Sequence, residues 1–512
     1  TTNGTGVGRG GEGTGGALGG VGIYVNLMRT PIINLGLIEG GNGAAAIVSR
    51  PETNIINSGI IRAGAGGTVA IDATQSPLTV IELRAGSSIT GLVLANAGGA
   101  FAQTLQLGGT GNASFDMSSV GATAQYRNFN RFVKAGTSSW TLTGNASTMP
   151  GSVWELQQGT LVFDGSATGQ TGSMLGNGAL VFQQDGALSV GSLNGAISIL
   201  QSGPGTTTLV GNNHSLGTTI TGGKLSIDAE NALGTGAFTI AGGALQWTGN
   251  GAIARSINWG ASGAEIEVAG NSLTLDQPLL GGGALIKSGS GTLILNGANS
   301  YTGGTTISAG TLRLNGSILG NVLNNGTLMF GNAAAYTYAG LVTGSGDVSV
   351  VGTGLLTLTG NSNFGGTLTV NSASGGLNIS GGAIVSWGGE TIHSNGQLLV
   401  NAGARATSVG ITTITSSSAT PTTLTVDGAG STFSTDTINA AGALNRNITV
   451  SVTNGGRLTT TAGDLNIRAA TVSAASTNTG QLIIDGAGSL ADLAGGLLIA
   501  NSNITNGKLT VR

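Results

Sequence analysis

The sequence predicts an all-β protein, and within that class a right-handed parallel β-helix, a solenoid that forms an elongated rod. Three observations predict it. Glycine supplies 96 of 512 residues, roughly two and a half times ordinary usage. At about 1 kcal/mol per helix-interior glycine, that density disfavours helices. A Gly-x-Leu tripeptide recurs through the middle of the chain, with a step of roughly 20 residues. The segments that follow it alternate apolar and polar residues, as short strands do.

The tripeptide begins at Gly159, Gly178, Gly223, Gly243, Gly283, Gly291, Gly310, Gly326 and Gly366. Steps of 19, 20 and 40 fit a unit near 20, and the steps of 8 and 16 read as loops of varying length. In Thr311-Leu312-Arg313-Leu314 the leucines point one way, and Thr311 and Arg313 the other. Asn325-Gly326, Asn395-Gly396, Asn454-Gly455 and Asn506-Gly507 read as turns, because Asn and Gly tolerate positive φ. A strand–turn unit this short cannot bury an apolar face alone. Coiling unit upon unit does so, each strand pairing with its counterpart about 4.8 Å away. At roughly 20–24 residues per turn of the coil, the chain makes roughly 21–25 turns and a rod of very roughly 100–120 Å. Leu, Ile and Val then fill the interior, while Ser, Thr and Asn face water and can stack as ladders. Immunoglobulin-like sandwiches ask for a large aromatic about every 100 residues. Trp140, Trp154, Trp247, Trp259 and Trp387 do not recur that way.

Along the chain, residues 1–30 are a glycine-rich lead-in or opening rungs, and 31–145 are N-terminal rungs in which Ile33–Ile38 returns as Ile56–Ile61. Residues 146–384 hold the Gly-x-Leu repeats. From 385 to 512 the units lengthen. Val426-Asp427-Gly428-Ala429-Gly430-Ser431 returns as Ile484-Asp485-Gly486-Ala487-Gly488-Ser489, a spacing that implies two or three rungs per unit.

The charge balance excludes several functions. With 18 basic and 21 acidic residues and a net charge of −3, there is no basic stripe for nucleic acid or an anionic membrane surface. No apolar run approaches the roughly 18 residues that span a bilayer as a helix. Absent cysteine removes disulfides and thiolate metal sites without fixing the redox compartment. The opening Thr1-Thr2-Asn3-Gly4 lacks a signal-peptide pattern, so the chain reads as cytosolic or as a mature fragment.

Chemistry is sparse. His214 and His393 stand far apart in the chain, outside any metal-spaced cluster, and read as satisfied or solvated side chains. No Gly-x-Ser-x-Gly nucleophile motif and no phosphate-binding loop occurs. The best carboxylate pair is Glu265 and Glu267, on one outward face about 6–7 Å apart along a strand. A glycosidase pair or calcium ligands would use such a pair, but a solvated strand face is the plainer reading. Asp427 and Asp485 occupy matching repeat positions and read as turn braces rather than metal ligands. Trp140 and Trp154 offer faces for sugars, yet Trp140 alternates in phase with Leu142 and belongs in the core. The expectation is therefore no enzyme, with no catalytic, cofactor-binding or metal-binding residue.

The stretch Asn296-Gly297-Ala298-Asn299-Ser300-Tyr301-Thr302-Gly303-Gly304-Thr305-Thr306-Ile307-Ser308-Ala309-Gly310-Thr311-Leu312-Arg313-Leu314 resembles the autotransporter-associated β-strand repeat of type V secreted passenger domains. Weaker copies begin at Gly211 and Gly360, and the Trp140–Gly144 close also resembles passenger sequence. The resemblance implies a β-helical rod on the surface of, or released from, a Gram-negative bacterium, carried out by a C-terminal membrane barrel beyond this segment. The chain then reads as an adhesin or structural surface rod, and its nearly uncharged Ser/Thr/Asn-rich flank predicts self-association between rods, with aggregation, biofilm formation and surface attachment. The expected partners are further copies of the rod and a host-surface or polysaccharide ligand. A carbohydrate-active β-helix enzyme, and a passive spacer or filament subunit, are the competing readings.

Overall fold

A computed structural model of the chain describes residues 2–3, 7–9, 19–26, 31–98, 101–148, 153–211, 213–416, 421–442, 447–469, 479–499 and 507–512. It divides into two compact units, Thr1–Leu245 and Gln246–Arg512. Each is a parallel β-helix. Among the described residues there is no α-helix, only short 3₁₀ turns at Met117–Ser119, Ala146–Thr148 and Glu230–Leu233.

In the first unit one face is a continuous parallel ladder. It runs through Ile32–Asn34, Thr53–Asn57, Thr79–Leu83, Thr104–Leu107, Arg131–Lys134, Val153–Leu156, Ser173–Gln184, Leu193–Gln201, Thr218–Ile220 and Phe238–Ile240. Two further faces accompany it at the start. One stacks Val7–Arg9, Leu37–Glu39, Ile60–Arg62 and Ser88–Thr90. The other stacks Ile23–Val25, Ile47–Ser49, Val69–Asp72, Leu92–Leu94 and Tyr126–Arg127. Register gives the length of each turn of the coil directly. Ile33 faces Ile56, Thr104 faces Arg131, and Met174 faces Leu193, so the turns first lengthen along this unit and then shorten.

The second unit keeps three strands per turn where the turns are long. One face runs Ala264–Val268, Leu285–Ser288, Thr305–Ile307, Val322–Asn324, Val342–Gly344, Ser362–Phe364, Ile384–Trp387, Arg405–Ser408, Thr432–Thr435, Arg457–Thr460 and Leu490–Leu493. Thr305 faces Val322 across a short turn, whereas the turn that brings Arg457 to face Leu490 is nearly twice as long.

Alternation fixes the core. Leu273, Leu293, Leu312, Leu328 and Val348 stand in one register column, all buried. Between them and the next inward column, Thr274, Ile294, Arg313, Met329 and Ser349 point outward. In the first unit Ile55, Ile81, Leu105, Phe132, Trp154, Met174 and Leu193 form the matching column. Each such side chain contributes roughly 1.5–3 kcal/mol by leaving water. Stacking like on like lets rings pair: Phe132 lies 5.2 Å from Trp154 and Phe163 lies 5.3 Å from Phe182, centroid to centroid. All five tryptophans are buried, so neither Trp140 nor Trp154 presents a face to a sugar.

Two details of the sequence reading change. The step of 8 between Gly283 and Gly291 is not a shortened loop. Leu285–Ser288 and Thr292–Leu295 lie on different faces of one turn, each continuing its own ladder. The step of 16 is a true register, since Thr311 faces Thr327. Positive φ explains only some of the Asn-Gly pairs: Gly396, Asn454 and Gly455 adopt it, at 82°, 52° and 88°. Gly326 is required by space instead, because a Cβ there would stand 2.4 Å from the Gly310 carbonyl oxygen of the preceding turn. Asn506 lies outside the described residues.

The step from Asp427 to Asp485 resolves into two turns of the coil. Asp427 faces Thr453, and Thr453 faces Asp485. Both copies turn through two left-handed glycines with the same angles, Gly428 and Gly486 at φ 90°, Gly430 and Gly488 at φ 81°.

Candidate functional site

The polar chemistry of the interior sits at the corners of the coil. Lys134 and Lys287 are wholly buried. Lys134 Nζ donates to the carbonyls of Ala135 (2.8 Å), Gly136 (2.7 Å) and Gln158 (3.2 Å). Lys287 Nζ repeats the arrangement with Ser288 (2.7 Å), Gly289 (2.9 Å) and Ala309 (3.1 Å). In each case two carbonyls belong to the lysine's own corner and one to the next turn, since Lys134 faces Leu156 and Lys287 faces Ile307. Burial pushes both ammonium groups down to about 8, and for Lys287 the Glu267 carboxylate pulls the other way. Gln201 is the amide version: Nε2 donates to Gly203 (3.0 Å) and Gly205 (3.3 Å), while Oε1 accepts from Thr207 Oγ1 at 2.6 Å.

A second device closes another corner. Tyr301 Oη and Thr305 Oγ1 are 2.7 Å apart, His214 Nε2 and Thr218 Oγ1 3.1 Å, and Trp387 Nε1 donates to Thr391 Oγ1 at 2.9 Å. Each ring is buried and bonds to the threonine that opens the next strand. His214 thus occupies the place of a tyrosine or tryptophan. His393 is also buried; burial pushes it down to about 4, and Nε2 lies 3.1 Å from the Gly396 carbonyl.

The carboxylates are held singly. Glu265 and Glu267 share the outward side of their strand. Ser288 Oγ donates to Glu265 Oε1, and Gln246 Nε2 donates to Glu267 Oε1 at 2.9 Å. One acid is thereby tied to the turn after it and the other to the turn before. Asp427 Oδ1 accepts from Thr453 Oγ1 (2.6 Å) and Asn454 Nδ2 (2.7 Å), which braces the next turn rather than its own. In the second copy the main-chain carbonyl of Asp485 accepts from Ser489 Oγ at 2.7 Å, and that hydroxyl accepts from Gly455 N at 3.1 Å. Among the described residues, no three His, Asp or Glu side chains converge as a metal site would require.

The outward surface carries ladders and a few ion pairs. Asn296 donates to Asp276 (2.8 Å), Asn315 to Asn296 (2.9 Å), and Asn332 to the Asn315 and Gly316 carbonyls. Arg62 pairs with Glu39 at 2.7 Å, which raises the guanidinium, and Arg84 pairs with Glu82 at 2.5 Å. Arg131 pairs with Glu155, and Gln157 together with Arg131 holds that carboxyl below its usual range. Arg457 pairs with Asp492. Solvent screening leaves exposed pairs of this kind little weight in stability. By contrast Thr413, Thr415, Thr423, Thr425, Thr449 and Ser451 alternate outward on strands whose inward residues are buried.

The buried Lys134, Gln201 and Lys287 escaped sequence reasoning. The signal was present: Lys134-Ala-Gly-Thr-Ser-Ser139, Gln201-Ser-Gly-Pro-Gly-Thr206 and Lys287-Ser-Gly-Ser-Gly-Thr292 share one pattern.

Comparison with known proteins meets this geometry at the same residues. The passenger-associated transport repeat matches residues 132–163, 199–227 and 285–314. The last of these contains the 296–314 stretch and the second contains the Gly211 copy. The chain is also 34% identical over 165 residues to the adhesin BmaC autotransporter of Brucella suis biovar 1 (strain 1330). That match covers 31% of this chain and 5% of the relative. No solved structure matches. Three repeats coincide with three corners that each carry a buried side-chain donor, on a parallel coil, so the chain carries the repeats of autotransporter passenger sequences.

Proposed function

We propose that the chain is a surface-displayed, adhesin-like passenger that attaches cells to surfaces and to one another through the flank of its coil, in a Gram-negative bacterium. The observation that supports this reading is the neutral outward side of three strands of the second unit, Thr412–Ser416, Thr422–Asp427 and Asn447–Thr453, where Thr and Ser alternate outward. Thr423 faces Thr449 and Thr425 faces Ser451, which places hydroxyls at the strand spacing of about 4.8 Å. With charged residues at 8% of the chain, little repulsion keeps two such flanks apart. Many weak contacts along a regular surface add up through multivalency. The likeness to a protein named as an adhesin points the same way.

Display of the chain on a non-clumping Gram-negative host, fused to an unrelated outer-membrane barrel, tests the reading. Cells should sediment faster than cells displaying an unrelated passenger and should be retained on abiotic or polysaccharide-coated surfaces. Unchanged settling and retention, with the chain detected at the surface, sinks it. Polysaccharide depolymerisation abolished by Glu265→Gln or Glu267→Gln establishes the enzyme reading in its place.

A further inference from the structure

We propose that the third residue of each passenger-associated transport repeat is a corner clamp that fastens one turn of the coil to the next. Counting from the first matched residue, that position is Lys134 after Phe132, Gln201 after Ile199 and Lys287 after Leu285. In all three it is buried, and in all three its side-chain nitrogen donates to carbonyls of the glycine-containing corner that follows.

The need for a donor comes from the corner. Ser288-Gly289 and Ala135-Gly136 turn the chain from one face to the next, with Gly289 and Gly136 at φ 73° and 68°. Their carbonyls accept from the lysine Nζ in half-buried bonds, and a carbonyl shielded from water without a donor is destabilising. An ammonium carries three donors and no acceptor. It serves two carbonyls of its own corner and still reaches Gln158 or Ala309 on the following turn. Glutamine has two donors on one nitrogen. Gln201 spends both on Gly203 and Gly205, and its contact with neighbouring strands passes through Thr207, which also accepts from Gln184 Nε2 at 2.8 Å. Lysine therefore links forward to the next turn, while glutamine locks its own corner and links through the hydroxyl beside it. The surrounding positions allow the clamp because they are small, Ala135, Ser202 and Ser288.

The intact chain supplies the first test, because its four lysines are Lys134, Lys224, Lys287 and Lys508, and Lys508 is exposed. Under native conditions an amine-reactive ester, read site by site by mass spectrometry, should label Lys508 at least about tenfold faster than Lys134 and Lys287. Equal rates overturn the clamp. The second test compares Lys287→Met with Lys287→Gln by hydrogen exchange. In Lys287→Met the amides of Ser308 and Thr311, which bond to Lys287 and Gly291 across the turns, should exchange at least about tenfold faster. Lys287→Gln should fall between Met and the parent. Unchanged exchange in the Met variant overturns the proposal, as does equal loss in both variants. If the Met variant does not fold, the labelling of the parent chain still decides.

Discussion

Within the second unit, the turns around residues 285–330 and those around 405–490 solve one problem in two ways. The first group is short, with Leu285 facing Thr305 and Thr311 facing Thr327. The second group is longer, with Thr432 facing Arg457 and Arg457 facing Leu490. The strands differ little: each presents two or three inward residues stacked on those of the turn below. What differs is the corner. Short turns close through glycines pressed against backbone, with Lys287 supplying a buried donor and Tyr301 sharing a buried hydrogen bond with Thr305. Long turns close through open left-handed turns clipped by serine, Ser431 Oγ accepting from Gly403 N at 3.0 Å and Ser489 Oγ from Gly455 N at 3.1 Å. A buried hydroxyl ladder then takes the place of the ammonium: Thr412 and Thr435 meet at 2.8 Å, and Thr435 donates to the Gly410 carbonyl. The ladder sets the pitch, and corner chemistry is exchangeable.

The largest expected effect follows from that contrast. Gly310 has φ 67°, and a Cβ there would stand 2.5 Å from the carbonyl oxygens of both Gly289 and Gly291. Gly430 has φ 81°, but its nearest neighbour would be Gly403 Cα at 3.6 Å. Gly310→Ala should cost roughly 3 kcal/mol or more, combining left-handed strain with a backbone clash. Gly430→Ala carries the strain alone, roughly 1–2 kcal/mol. Chemical denaturation of both variants checks this, and equal losses would remove the distinction between crowded and open corners.

The second effect is a pH dependence at His393, on the strand Thr391–Val400 between the two kinds of turn. Burial lowers its pKa from 6.5 to about 4. Between those values the unfolded chain binds a proton that the folded chain refuses, so stability rises with pH there. On acidification the contribution is intact above about 6.5 and is lost progressively down to about 4. Denaturation midpoints at neutral pH and at a pH midway between those two values should differ more for the parent than for His393→Gln. Parallel losses in the two proteins would mean that His393 titrates normally.

Much of this architecture is legible in the amino-acid sequence. The ladder is, because Gly-x-Leu followed by alternation marks where an inward column begins, and Leu312 and Leu314 lie where that pattern puts them. The return of Ile33 as Ile56 is a register. The corners are not legible. A lysine in Leu-Ile-Lys-Ser-Gly reads as solvent-facing, because isolated lysines are almost never fully buried. Two carbonyls of its own corner accept from the ammonium, and the stacked turn supplies the third. The same holds for His214, whose place beside Thr218 becomes clear only when Tyr301 and Thr305 stand at an equivalent corner. Glu265 and Glu267 look like a pair in sequence, but they are tied in opposite directions by Ser288 and Gln246.

A smaller loss tests the ring–threonine corner. Tyr301→Phe keeps the buried ring and removes the hydroxyl bonded to Thr305. The cost should be about 1–2 kcal/mol. Restoration by the further change Thr305→Val would show that the orphaned hydroxyl, rather than packing, carried the loss.

The smallest effect belongs to the serine clips of the long turns. Ser489 Oγ links the Asp485 carbonyl to Gly455 N, and Ser431 Oγ reaches Gly403 N. Ser431 is buried, whereas Ser489 is half-buried. Removing a hydroxyl that water replaces costs less than removing one that water cannot reach. Ser431→Ala should therefore cost about 1 kcal/mol and Ser489→Ala about half of that. The order matters more than the sizes. If Ser489→Ala proves the more damaging, the clip acts on the turn's own conformation rather than as a bond between successive turns, and the long corners close by turn geometry alone.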